Sequence, residues 1–113
     1  MIKPSDPKQL AIDIIGRSIC NVMAGAAIAD SRGRILSWGW NSCGLGLGEH
    51  AEQAAMRRAN KQRLPGATIY IASQRRRNRK CILSAPCEDC RKLLFKWEVI
   101  SWYRDSDHIW KLL

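Results

Sequence analysis

Apolar residues recur at helical spacing near the start of the chain. Leu10, Ile14, Ile15 and Ile19 share one face of an amphipathic helix predicted over about Lys8 to Met23, behind a short leader punctuated by Pro4 and Pro7. The small apolar run Ala24 to Asp30 and the segment Ile35 to Asn41 flank Ser31-Arg32-Gly33-Arg34, whose turn chemistry predicts a hairpin of two strands. A second helix is predicted over roughly Glu49 to Gln62. Within it Ala51, Ala55 and Ala59 stand four apart, a narrow stripe of small side chains that lets a helix lie close to a sheet. Leu64-Pro65-Gly66 ends that helix, and the β-branched, nearly continuous apolar run Ala67 to Ala72 reads as a central strand. After a basic loop, Gln74 to Lys80, Pro86 opens a third helix to about Trp97, and Val99 to Tyr103 reads as a fourth strand. The tail from Arg104 is left unassigned.

The order α-β-β-α-β-α-β predicts an α/β sandwich whose helices pack on a mixed four-stranded sheet. At 113 residues, 46% of them hydrophobic, the chain has material for one core, so a single domain over 1–113 is expected, with its core at about 8–103. The sequence shows no apolar run of the about 18 residues that a membrane span needs, and no apolar signal region follows Met1, which predicts a cytoplasmic protein.

Charge changes this picture more than composition does. The net charge is +9, and its distribution is uneven: residues 1–49 carry five basic and four acidic side chains (+1), while residues 50–113 carry fourteen and six (+8). An anionic partner facing the second half is therefore expected. Between Arg57 and Lys80 lie nine basic residues and no acidic one, densest at Arg75-Arg76-Arg77-Asn78-Arg79-Lys80. That run reads either as a phosphate-binding loop for a nucleotide or single-stranded nucleic acid, or as a solvated loop that aids solubility.

Candidate chemistry gathers at two predicted helix starts, His50-Ala51-Glu52 and Pro86-Cys87-Glu88-Asp89-Cys90. Cys87 and Cys90 share a helix face one turn apart and can grip one tetrahedral ion. In a first turn, free backbone N–H groups and the helix dipole favour the thiolate, which is the ligand form. His50 supplies a third ligand from the other helix, leaving the fourth position for water, as a catalytic zinc site requires. Glu52 is then free to move protons.

The H-x-E and P-C-x-x-C pair is the signature of zinc nucleobase deaminases. Over about residues 8–103, including the order of elements, the chain resembles a compact member of the cytidine deaminase-like superfamily. That superfamily includes cytidine, deoxycytidylate, tRNA adenosine and polynucleotide cytosine deaminases. The resemblance implies a three-layer α/β/α sandwich with a mixed sheet of four or five strands, and one Zn2+ held by His50, Cys87 and Cys90. It implies Glu52 as proton shuttle, substrate contact from Asn41 at the end of Gly39-Trp40-Asn41, and contact between the Ala51 N–H and the base carbonyl. The implied reaction is hydrolytic: attack at C4 of cytosine or C6 of adenine with loss of ammonia.

Subfamily clues diverge. Cys90-Arg91-Lys92 resembles the cytidine side and Gly39-Trp40-Asn41 the tRNA adenosine side, while the thirteen residues from Ser73 to Ala85 are longer than many members place before P-C-x-x-C. Relatives usually add a helix and strand after the fourth strand, which implies a substrate wall completed by the tail or by a second subunit in a homo-oligomer. Cytosine, as a (deoxy)cytidine nucleoside or nucleotide or within single-stranded nucleic acid, is the leading substrate. The alternatives are a tRNA-type adenosine deaminase, a catalytically idle zinc-stabilised domain that binds nucleic acid, and a thiol redox protein using Cys87 and Cys90.

Other features admit plainer readings. Trp38 and Trp40 alternate on one strand face, suited to packing, with base stacking by Trp40 the functional alternative. Arg75, Arg76 and Arg77 are the candidate phosphate contacts. Gly44-Leu45-Gly46-Leu47-Gly48 lacks the residues of a phosphate cradle and reads as a pocket rim. Ser84 reads as a helix cap or as a serine beside the site. His108 reads as surface, Cys20 as core, and Cys43 and Cys81 as loop thiols; five cysteines cannot all pair within one chain.

Overall fold

The computed structural model describes residues 6–43 and 48–113. Helix α1 spans Pro7–Ile14, capped by the Asp6 side chain, which accepts from the Lys8 N–H. Strands β1 (Val22–Ala29) and β2 (Ile35–Trp40) follow, then α2 (Ala51–Arg58), β3 (Thr68–Arg75), β4 (Cys81–Ile82), α3 (Glu88–Lys96), β5 (Ile100–Arg104) and β6 (Trp110–Leu112).

Among the described residues the sheet has six strands in the order β2-β1-β3-β5-β6, with β4 paired to β3 beyond the end of β5. It is mixed: β3 and β5 run parallel and the other pairs antiparallel. The expected α/β sandwich is present, with two strands beyond the four that periodicity marks. One of these, β4, is two residues long, and the other, β6, carries only Trp110, Lys111 and Leu112. Neither is long enough to show an alternation.

Side-chain alternation along β1 and β3 divides the core between two faces. Ala26, Ile28, Ile69 and Ile71 pack with Met56 of α2 and Leu94 of α3. On the other face Met23 and Ala72 pack with Ile15, and Ile12 and Trp110 lie against them. Both helix contacts are too close for a side chain between them. A Cβ at Gly39 would meet Ala55 N at 2.5 Å, and one at Gly25 would strike the Ala11 carbonyl oxygen. The alanine stripe of α2 is buried as its spacing predicts: Ala51, Ala55 and Ala59 all lie in the core.

The first two helices are shorter than their patterns suggest. α1 gives way to a 3-10 turn at Ile15–Arg17 because β1 must begin at Val22, and Ile19, counted on the helical stripe, is 69% exposed. α2 stops at Arg58, and Asn60 caps a separate 3-10 turn, Lys61–Arg63, by accepting from the Gln62 N–H. The basic loop is a β-hairpin: β3 runs on to Arg75, the chain turns, and β4 returns.

Cysteine usage also departs from expectation. Cys20 and Cys43 form a disulfide with Cα atoms 5.7 Å apart, tying the entry to β1 to the exit from β2, and Cys81 is a buried thiol of β4. The pocket-rim reading of Gly44 to Gly48 falls largely on 44–47, outside the described residues. No helix among the described residues is long and apolar enough to cross a membrane.

Candidate active site

Two helix N-termini converge beside β3. His50 is the N-cap of α2, held by Gln53, whose Oε1 accepts the His50 N–H at 2.8 Å. Cys87 is the N-cap of α3, and Cys90 lies in its first turn. The His50 Nδ1 stands 3.3 Å from Cys90 Sγ and 3.5 Å from Cys87 Sγ. The three ligand atoms lie within 4.8 Å of one another. Tetrahedral zinc, with bonds of about 2.3 Å to sulfur and about 2.1 Å to nitrogen, separates N and S ligands by about 3.6 Å, so this triad fits the ion. The donor set fits as well: thiolates and an imidazole suit zinc, and among the described residues no carboxylate joins the cluster.

Against the thiolate preference expected for a first-turn cysteine, the Cys90 thiol is pushed above its ordinary value, first by burial and then by the neighbouring Glu52 charge. Such a thiol stays protonated until a cation replaces the proton, so metal uptake is coupled to proton release.

Glu52, one helical step from Ala51, is 6% exposed. Burial pushes its carboxyl above the usual range, against hydrogen bonds from its own N–H and from Cys90 that pull the other way. A carboxyl that holds its proton more tightly than usual is suited to accept a proton and return it. Glu52, His50, Ala51 and Cys87 border one cavity of about 210 Å³. That is space for about seven waters, the scale of one base ring.

Asn41 borders the same cavity. Its carboxamide bridges to β1, with Oδ1 accepting from the Ala24 N–H at 2.8 Å and Nδ2 donating to the Val22 carbonyl at 2.7 Å. One Nδ2 proton and one Oδ1 lone pair remain for a ligand. Ser84 is buried on the cavity wall; its hydroxyl donates to the Ile82 carbonyl and does not cap α3.

The remaining sequence candidates lie elsewhere. Trp40 does not border the cavity: it pairs with Gly25, on the α1 side of the sheet, and sits between the Arg17 and Arg58 guanidinium groups, 5.3 and 4.5 Å from its ring centre. Strand alternation, which puts the neighbouring Gly39 against α2, turns Trp40 the other way. Arg75 and Arg77 border an adjoining cavity, whereas Arg76 is a structural residue whose guanidinium donates to the Ile19 carbonyl at 2.8 Å. Val22, Ile82 and Leu83, which carry no sequence motif, also border the cavity. The only available signal was the isolated apolar Ile82-Leu83 after the basic run.

The zinc-binding region of cytidine and deoxycytidylate deaminases, as a sequence family, matches residues 5–103. Solved structures share the fold. A cytidine deaminase from Burkholderia pseudomallei superposes with a TM-score of 0.76 at 18% identity, covering 95% of this chain and 88% of that one. A dCMP deaminase from the cyanophage S-TIM5 gives 0.65 at 23% identity, over 88% and 79%. A cytidine deaminase from Mycobacterium leprae gives 0.61 at 18% identity, over 93% and 88%. No curated protein sequence matches the chain. Because the family match takes in both helix starts and the chain up to Tyr103, this protein belongs to the cytidine and deoxycytidylate deaminases, zinc-dependent hydrolytic enzymes.

Proposed function

We propose that the chain converts cytosine to uracil with release of ammonia, acting on a (deoxy)cytidine nucleoside or nucleotide or on cytosine in single-stranded nucleic acid. The observation that carries this reading is the shared cavity. Two of the three zinc-ligand residues, a buried glutamate and the first N–H groups of α2 open onto the same base-sized space. A purely structural zinc site closes its shell with a fourth protein ligand, and the described residues offer three.

His50, Cys87 and Cys90 hold the ion, which when bound supplies a Lewis acid that makes water nucleophilic near neutral pH. Glu52 takes a proton from the attacking water and delivers it to N3 of the ring as the C4–O bond forms. It then passes the second water proton to the amine as the C4–N bond breaks. Cytosine and water thus become uracil and ammonia with no other reactant. The Ala51 N–H, in the first turn of α2, donates to the base carbonyl, where the helix dipole favours developing negative charge. Asn41 orients the sugar or base with its remaining proton and lone pair. The enzyme acts as one domain over 1–113 in the cytoplasm.

The test is direct. Purified zinc-loaded protein is incubated with cytidine, deoxycytidine, their monophosphates, adenosine and cytosine-containing oligonucleotides, and deamination is read by mass. Conversion of at least one cytosine substrate is expected. Turnover of adenosine alone, or of none, overturns the reading.

A further inference from the structure

We infer that the β3–β4 hairpin forms a phosphodiester track leading into the catalytic cavity, so that the substrate is cytosine within a single-stranded polynucleotide and not a free mononucleotide. The inference rests on the deaminase reading and names the substrate class for that same site.

Two further cavities border the hairpin and share lining residues with the catalytic one. A cavity of about 680 Å³ is bordered by Arg75, Arg77 and Asn78, and it shares Val22 and Ile82 with the catalytic cavity. Another of about 430 Å³ is bordered by Arg75, Asn78, Lys80 and Ser106, and it shares Ile82 and Leu83. Through these shared residues the surface of the base-sized site continues along the hairpin. It is far larger than the single phosphate of a mononucleotide requires.

Charge along this surface is unopposed. Arg75, Arg77, Arg79 and Lys80 are exposed, and among the described residues none lies within ion-pair distance of a carboxylate. The turn that carries them is closed by backbone hydrogen bonds. Arg75 N–H donates to the Lys80 carbonyl at 2.9 Å and Arg79 N–H to the Arg75 carbonyl at 2.8 Å. Arg76 anchors the turn to the segment before β1, by its backbone to Asn21 at 2.9 Å and by its guanidinium to Ile19. Cations held on a fixed frame lose less freedom when they meet phosphates than cations on a loose loop do.

Two aliphatic side chains mark where the strand would pass. Val22 is 47% exposed and Leu83 61% exposed, one shared with each flanking cavity. A mononucleotide would leave both in water, whereas nucleotides on either side of the target base would cover them. Sequence-tolerant binding of single strands pairs a basic groove for the backbone with side chains that cover the bases; here the groove is basic and the covering side chains are aliphatic.

The experiment uses Glu52→Gln protein loaded with zinc and a fluorescein-labelled DNA single strand of about twelve nucleotides with one central cytosine, within the span of one compact fold. Binding is read by anisotropy across a salt series, with dCMP as competitor. At about −0.7 per phosphate contact, three or more contacts give a log–log salt slope of about −2 or steeper. The double substitution Arg77→Ser, Lys80→Ser should weaken binding about tenfold near 0.1 M salt and flatten the slope by about 1.4, with zinc content unchanged. Lys92→Ser, Lys96→Ser removes the same charge from α3 and should leave the slope unaltered.

Equal losses from both pairs would mean that net charge alone attracts the strand, and the inference is overturned. It is also overturned when dCMP binds as tightly as the oligonucleotide. Because the readout is binding by a catalytically silenced protein, absence of turnover in the wild type counts against the deaminase reading and leaves this result to stand by itself.

Discussion

His50 Nδ1 and Cys90 Sγ lie 3.3 Å apart although forty positions separate them in the chain, and one belongs to the cap of α2 and the other to the first turn of α3. Zinc bound by His50, Cys87 and Cys90 would therefore cross-link the two helix starts. Removing zinc with a chelator should therefore lower the melting temperature, and Cys90→Ser should lower both metal content and stability. Because burial keeps the Cys90 thiol protonated without metal, zinc uptake releases protons and its affinity rises with pH. Calorimetric titrations in buffers of different ionisation enthalpy check this; uptake without proton release would contradict it.

Glu52→Gln separates the two roles of the site. The substitution keeps the shape and removes the proton carrier, so kcat should fall by about 10²-fold to 10⁴-fold or more while zinc stays stoichiometric. A second consequence concerns the metal-free protein. The Glu52 carboxyl is pushed up by burial, so its folded value lies above its unfolded one. Ionising it therefore costs stability above the ordinary carboxylate pKa of about 4.3 and costs nothing well below it. Thermal unfolding of the chelated proteins should show Glu52→Gln more stable than wild type near neutral pH, with the gap closing toward about pH 4. A gap that does not depend on pH would refute the burial argument.

The zinc cluster and its glutamate were legible because each stands at a helix start whose signals are local: Pro86 before Cys87, and the alanine stripe after His50. The sheet was legible where strands are long and apolar, as in β3. What escaped the reading is held by contacts between distant residues. β4 exists because Ser73 and Gln74 offer an edge to Ile82 and Cys81. β6 exists because Trp110 packs edge-on against Tyr70, and Lys8 of α1 sits 5.5 to 5.9 Å from the ring centres of Tyr70, Trp102 and Trp110. Three aromatic residues from three strands around one lysine leave no periodic trace. Three tryptophans accordingly pack against cations, Trp40 among its arginines and Trp102 and Trp110 around Lys8, while Trp97 packs on the core and Trp38 is exposed.

The Cys20–Cys43 disulfide closes a loop of sequence separation 23 that contains β1, β2 and the hairpin between them. Loop-closure entropy for such a ring corresponds to about 3 kcal/mol. Reduction, or Cys20→Ser, should lower the melting temperature by about 10 °C or more for a domain of this size. Thiol titration of the denatured, unreduced protein should then find Cys81, Cys87 and Cys90 free and Cys20 and Cys43 unreactive. Five reactive thiols in the protein as isolated would show the bond is not formed.

Asp105 closes the turn between β5 and β6, with Oδ1 accepting the N–H groups of Asp107 and Ile109 at 2.9 Å each, and Oδ2 lying 3.1 Å from Lys111 Nζ. The hydrogen bond from Ile109 comes first among the influences holding its carboxyl below the usual range, with Lys111 and Asp107 adding to it against the opposing effect of burial. A carboxyl with a lowered folded value contributes stability that is present above the ordinary aspartate pKa of about 4 and lost as pH falls through the folded value. Asp105→Ala should therefore lower the melting temperature most at neutral pH, and the difference from wild type should shrink on acidification toward about pH 2. Asp105→Asn keeps an oxygen for the two N–H groups and loses only the Lys111 partner, so it should fall between the two. High salt should weaken the Lys111 contribution and leave the turn hydrogen bonds. Melting curves for the three proteins across pH and salt decide the matter: a destabilisation of Asp105→Ala that is constant from neutral to strongly acid pH would show that the turn is held by something other than this carboxylate.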